Sequence, residues 1–327
     1  MRSSRTLPGL LLAAMLVAPA SAVAQSGQEL FAFRSGFWMN LHHFLYVAAR
    51  AANGEADAAR EAVAGARADT AGFGSLPAGA RVGWERALRF YRDWPGRLDI
   101  LFDSAMVSHK HELRALADDG DVRRGAIPAD LATALAEAAP AYRALWWPRH
   151  EAANRSWLAS VRPLLDRWGL PVSRFVTAAY DTTWAGAVPV DVVAWANWAG
   201  AYTSNDPTHV TVSSLAPTAA PTDALETLFH EALHGFDEKV TAALIAEARA
   251  QRKRVSNQLW HAALFHTAGA AVREVIPDHV PFAEHSGVFA RGEYPLLLRI
   301  IEAHWAPHLR GEYDFAEAIR RMVAAHP

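Results

Sequence analysis

The chain has 327 residues, 51% hydrophobic and 20% charged, with a formal net charge of −2. That is enough apolar material for a globular core, and it excludes a disordered or fibrous chain. The charge balance offers no basic face for nucleic acid or an anionic membrane surface. With no cysteine, disulfides and a lipid-modified cysteine anchor are excluded as well.

The N-terminus reads as a secretory signal. Arg2 and Arg5 form its positive region, Leu7 to Ala20 its apolar run, and Ala22-Val23-Ala24 a small-x-small cleavage site. The run is too short for a convincing membrane span. Residues 1–24 are therefore expected to be removed. That leaves a secreted or periplasmic protein with no stable membrane insertion.

Residues 25–168 read as an N-terminal helical region. Glu29 to Arg50 is apolar nearly all round, the mark of a central helix. It carries His42 and His43, whose side chains point roughly 100° apart on a helix. The plain expectation is one buried and hydrogen-bonded, the other near the surface; the sharper one is that either lines the floor of a site. The Ala-rich stretch Ala48 to Ala71 is helix-forming. Arg81 to Trp94 and Leu98 to Ala117 follow, separated by Pro95-Gly96. Asp118 to Asp121 reads as a solvated turn, because the calcium-loop spacing with its later Glu is absent. Ala129 to Ala138 and Tyr142 to Trp168 continue the helical pattern, with a kink expected at Pro148.

The texture changes at Gly169. Pro171 to Tyr180, Val188 to Trp195 and Thr208 to Ser214 read as strands, the last β-branched and alternating. The expected fold class is α+β, predominantly helical, with a small sheet ahead of the next helix. No linker divides the chain, so the two regions are expected to form one compact domain.

That next helix carries Thr227-Leu228-Phe229-His230-Glu231-Ala232-Leu233-His234-Gly235-Phe236. Leu225, Leu228, Phe229, Ala232, Leu233 and Phe236 recur at helical period. Asp223 with Glu226 has capping-box spacing, and the helix is expected to run on to about Arg254. In a helix, His230 and His234 lie one turn apart, about 6 Å along the axis. Two imidazoles so placed can reach one metal ion. Glu231 is rotated by about 100° and leans beside the ion, where a carboxylate can take a proton from water.

These residues resemble the extended active-site signature of the zincin metallopeptidases, in which uncharged residues fill a His-Glu-x-x-His helix. The resemblance implies a zincin-like catalytic region over residues 169–327, a Zn2+ cofactor, and a peptide or other amide as substrate. It also implies that a sheet edge near the helix pairs with an extended peptide. Thr208 to Ser214 would fill that role, or would be an internal strand without substrate contact.

A catalytic zinc usually takes three protein ligands and keeps one open position. Val240 stands where the metzincin subgroup has its third histidine. The gluzincin subgroup takes a Glu from a following helix. Here Gln258 to Val275 offers His261, His266 and Glu274, with Glu284, Glu293 and Glu302 further on. His261 is the favoured ligand: it is polar in an apolar stretch, and a buried imidazole needs a partner. His266, about 140° further round, is assigned a hydrogen bond to the developing oxyanion. Glu274 is the alternative ligand, close to Pro277, where the helix should end. Asp237 and Glu226 are candidates to orient a ligand imidazole, or are ordinary solvated carboxylates. Tyr294 to Trp305 and Tyr313 to Val323 read as closing helices.

The expected function is a secreted or periplasmic zinc metallohydrolase, most simply a peptidase, with Glu231 as general base. A reading from another class is a zincin-like protein that binds peptide or cell wall without cleaving it. A third is a helical scaffold with a fortuitous motif.

Overall fold

A four-stranded sheet separates two hydrophobic cores. The structure is a computed structural model that describes residues 30–54, 72–197, 199–205, 207–216 and 221–327. The expected signal, residues 1–24, and most of the Ala48 to Ala71 stretch lie outside the described residues. The strands are Phe31–Arg34 (β1), Val188–Val193 (β2), Ala201–Ser204 (β3) and His209–Ser213 (β4), in the order β1-β2-β4-β3. β2 is parallel to both β1 and β4, and β3 runs antiparallel to β4.

Side chains alternate across a strand, and the two faces of this sheet differ sharply. Val190, Val192, Ala201, Val210 and Val212 join one core. Asp191, Tyr202, Ser204, His209 and Thr211 point the other way and are all buried. That second face is polar: His209 Nε2 donates to Asp191 Oδ2 at 2.5 Å. It meets the helical layer of Phe37–Ala52 (α1), Ala78–Asp93 (α2), Ser104–Ala115 (α3) and Ala129–Leu145 (α4). The apolar face packs on Trp147–Ala179 (α5), Pro221–Leu233 (α6) and Leu259–Val275 (α8), with Asp237–Ala250 (α7) between the last two in sequence. The chain closes with Phe282–His285 (α9), Tyr294–Ile300 (α10), a π turn at Ile301–Trp305, Ala306–Leu309 (α11) and Phe315–Ala325 (α12). The fold is mostly helical with a small mixed sheet, an α+β arrangement. Among the described residues no helix is long and apolar enough to cross a membrane.

Four sequence expectations give way here. Glu29 to Arg50 is not one helix. Its first part is β1, which pairs with β2 in the register Phe31↔Val188, and α1 begins only at Phe37. The partner strand is far away in sequence, so no local period announces it. Pro171 to Tyr180 is not a strand but the end of α5, up to Ala179. Leu165, Val172, Val176 and Ala179 fall on one helical stripe and are buried in the first core, and that burial overrides the β-propensity of the Val and Phe residues. The expected meeting point of the two regions, Trp168-Gly169, thus lies inside α5. Leu98 to Ala117 shortens to α3, because the Asp103 carboxylate caps the helix by accepting from Ala105 N and Met106 N at 3.0 and 3.1 Å. At Pro148 the chain does not kink but starts α5, in whose first turn proline's missing N–H is no loss.

Candidate metal centre

The centre starts from α6. Leu225, Leu228, Phe229, Ala232 and Leu233 are fully or nearly buried in the core between α5, α8 and the sheet. That packing fixes the rotation of α6 and places His230 and Glu231, only 8% and 7% exposed, at the margin of the core. The α-helix ends at Leu233, sooner than the sequence suggests. His234–Phe236 form a tight 3-10 turn before α7 begins. A Cβ on Gly235 would lie 3.0 Å from Thr208 Oγ1, in the turn that precedes β4, so a larger residue here would require Thr208 to shift. His234 still follows His230, with ring centroids 5.2 Å apart.

His261 arrives from the first turn of α8. Its ring lies 5.3 Å from that of His230 and 5.2 Å from that of His234. One ligand atom from each of the three residues lies within 4.8 Å of the others. Among the described residues this is the one such gathering of three or more His, Asp or Glu side chains. Phe265 stacks on His230 at 4.2 Å, and Trp260 stacks on His261 at 5.0 Å. Tyr294 Oη donates to Gln258 Oε1 at 3.1 Å, and His261 Nδ1 in turn donates to Tyr294 Oη at 3.2 Å. That tautomer leaves Nε2 of His261 with its lone pair free.

Electrostatics support the same reading. Burial lowers the pKa of His230 well below the imidazole value, and the neighbouring His234 and His261 lower it further. Burial takes His234 down to about 3, with help from His261, and His261 down to about 4. All of these rings are neutral near pH 7. His230 Nδ1 is buried with no hydrogen-bond partner among the described residues. Clustered neutral imidazoles with free lone pairs and an orphaned buried nitrogen fit a divalent transition-metal ion.

Glu231 lies on the sheet side of α6. Thr203 Oγ1, on β3, lies 2.7 Å from Glu231 Oε2 and 2.8 Å from the Glu231 carbonyl oxygen. Burial pushes the Glu231 carboxyl up to about 7, while the Thr203 hydrogen bond and the Lys110 charge pull the other way. Lys110 is itself fully buried. It donates to Ser204 Oγ, and its ammonium sits 4.7 Å from the centre of the Tyr202 ring. Burial lowers its pKa to about 7. Thr203, Lys110 and Tyr294 had no signal in the sequence, since each acts through a contact distant along the chain.

His266, Glu274, Glu284, Glu293 and Glu302 are not part of the three-histidine group. His266 is half-buried on α8, held neutral by burial, with Glu284 and Arg273 as its charged neighbours. Glu274, Glu284, Glu293 and Glu302 are all exposed. Asp237 accepts from Asn205 Nδ2 at 3.2 Å, and the same amide donates to the His234 carbonyl at 3.1 Å. Glu226 neither caps α6 nor serves His230. It is 1% exposed and accepts from His279 Nε2 at 2.5 Å and Phe282 N at 2.9 Å. The long-range bonds satisfy a buried carboxylate that a local capping box would leave near water.

Both His42 and His43 are buried, and neither joins the centre, because α1 is enclosed on nearly all sides. His42 Nδ1 pairs with Tyr91 Oη at 2.7 Å. His43 Nδ1 donates to Met39 O at 2.9 Å, so its Nε2 accepts from Tyr202 Oη at 2.7 Å. The strand at Thr208 to Ser214 is β4, which is internal, paired with β2 on one side and β3 on the other. The sheet edge beside α6 is β3 instead. Compared with known protein families, with characterised proteins and with solved structures, the chain matches none of them.

Proposed function

We propose that the chain is a zinc-dependent amide hydrolase, most simply an exported zincin-like peptidase with residues 1–24 as its leader. His230, His234 and His261 hold the metal, and Glu231 is the general base. The observation that carries this reading is the convergence of the three neutral imidazoles from α6, its end and α8, with a buried carboxylate on the intervening residue. When bound, zinc supplies Lewis acidity, polarising a carbonyl and lowering the pKa of water towards 7.

The remaining steps belong to the protein. Glu231 takes the proton of the attacking water and returns it to the leaving nitrogen. The Phe265 and Trp260 rings hold the imidazoles in place. Tyr294 and Gln258 fix the tautomer of His261. The binding-only alternative draws its force from a missing third ligand, and the position of His261 removes much of that force. The test is cleavage of a mixed peptide library by the purified chain. Cleavage should cease on chelation and return with added zinc. Cleavage that survives metal removal would rule this function out.

A further inference from the structure

β3 carries three consecutive residues with separate tasks. Tyr202 and Ser204 face the helical layer and Thr203 faces α6, as strand alternation requires. Among the described residues β3 pairs only with β4, so its outer side has no strand to hold it. Side chains hold it instead. Lys110 of α3 donates to Ser204 Oγ and lies over the Tyr202 ring, and Tyr202 Oη donates to His43 of α1. Just beyond the strand, Asn205 donates to the His234 carbonyl and to Asp237. Thr203 is therefore fixed from behind and from one end, with its hydroxyl against Glu231.

We propose that Thr203 is the positioning residue for Glu231, and that the anchored edge strand β3 sets where that carboxylate stands. The consequence for turnover rests on Glu231 being the general base, as proposed above; the positioning itself does not. A threonine hydroxyl has one proton to give. Of its two acceptors, the side-chain carboxyl is the closer, at 2.7 against 2.8 Å, and when ionised it takes the stronger bond. A glutamate side chain otherwise samples several staggered rotamers. A bond to a rigid strand selects one of them.

The first experiment uses metal-free protein and a double-mutant cycle. Urea unfolding is measured for wild type, Thr203→Val, Glu231→Ala and the double variant. Thr203→Val should raise the unfolding equilibrium constant about tenfold or more in the wild-type background, the size of a hydrogen bond to a charged group. It should do much less when Glu231 is absent. Equal effects in both backgrounds would overturn the proposal. If the valine variant does not fold, Thr203→Ala takes its place in the cycle.

The second experiment uses zinc-loaded protein. Thr203→Val should keep its zinc and its KM while kcat falls roughly ten- to a hundredfold, as expected for a misplaced catalytic group. Thr203→Ser should restore kcat. An unchanged kcat in Thr203→Val, or no rescue by serine, would overturn the positioning role. If wild type cleaves nothing, the hydrolase reading fails and the cycle alone decides the role of Thr203.

Discussion

Glu231→Gln is expected to leave the metal content unchanged and to reduce turnover by about 10²–10⁴-fold, the usual contribution of a general base. The substitution preserves volume, and the amide oxygen can still accept from Thr203 Oγ1, which now lies 2.7 Å from the carboxylate. The packing of α6 around the position is therefore retained. What is lost is the ability to take and return a proton. The two readouts are kcat on a cleavable peptide and the zinc-to-protein ratio of the same sample. Full activity in the variant would remove Glu231 from the role of base. Loss of zinc together with activity would show a structural effect instead.

Glu226→Ala is expected to destabilise the fold by about 1–3 kcal/mol, the range for leaving buried hydrogen-bonding partners unsatisfied. Glu226 is 1% exposed, and its carboxylate is shared between His279 Nε2 and the Phe282 amide. Truncation strands both donors and leaves a void beside Gly269, where a Cβ would already approach Glu226 Oε1 to 3.3 Å. The effect should extend towards the centre. Phe282 lies 6.4 Å from Phe265, nearly parallel to it, and Phe265 stacks on His230. Urea unfolding of the metal-free protein measures the cost directly. A loss below about 1 kcal/mol would mean that the carboxylate contributes little.

The parts of this site that were legible in the sequence are those written in local spacing. The apolar period around Leu228 and Leu233 marks the helix, and His-Glu-x-x-His marks two of the three clustered histidines. The same period around Leu259 and Leu264 exposed His261 as a polar residue in apolar surroundings, and the structure brings its ring to within 5.3 Å of His230. β2 and β4 showed through their β-branched residues. What stayed hidden depends on contacts distant along the chain. β1 and β3 are 4 residues each and exist through their partners, not through their own propensity. Glu226 sits at capping-box spacing, and nothing local points to its partner His279, 53 residues away. Thr203 and Lys110 had no pattern at all: the one is an ordinary strand residue, the other an ordinary helix lysine until the sheet covers it. The end of α5 misled for the opposite reason, since its Val and Phe residues favour a strand while core packing makes them helical.

The most direct test of the account is elemental metal analysis of the purified chain, prepared without chelator, beside His261→Ala. The account predicts one zinc per chain in the wild type. In the variant, zinc affinity should fall by at least about 100-fold, since even the partners that orient a ligand are worth about 10–100-fold. A wild-type protein without metal, or a variant that keeps zinc at full stoichiometry and affinity, would contradict it.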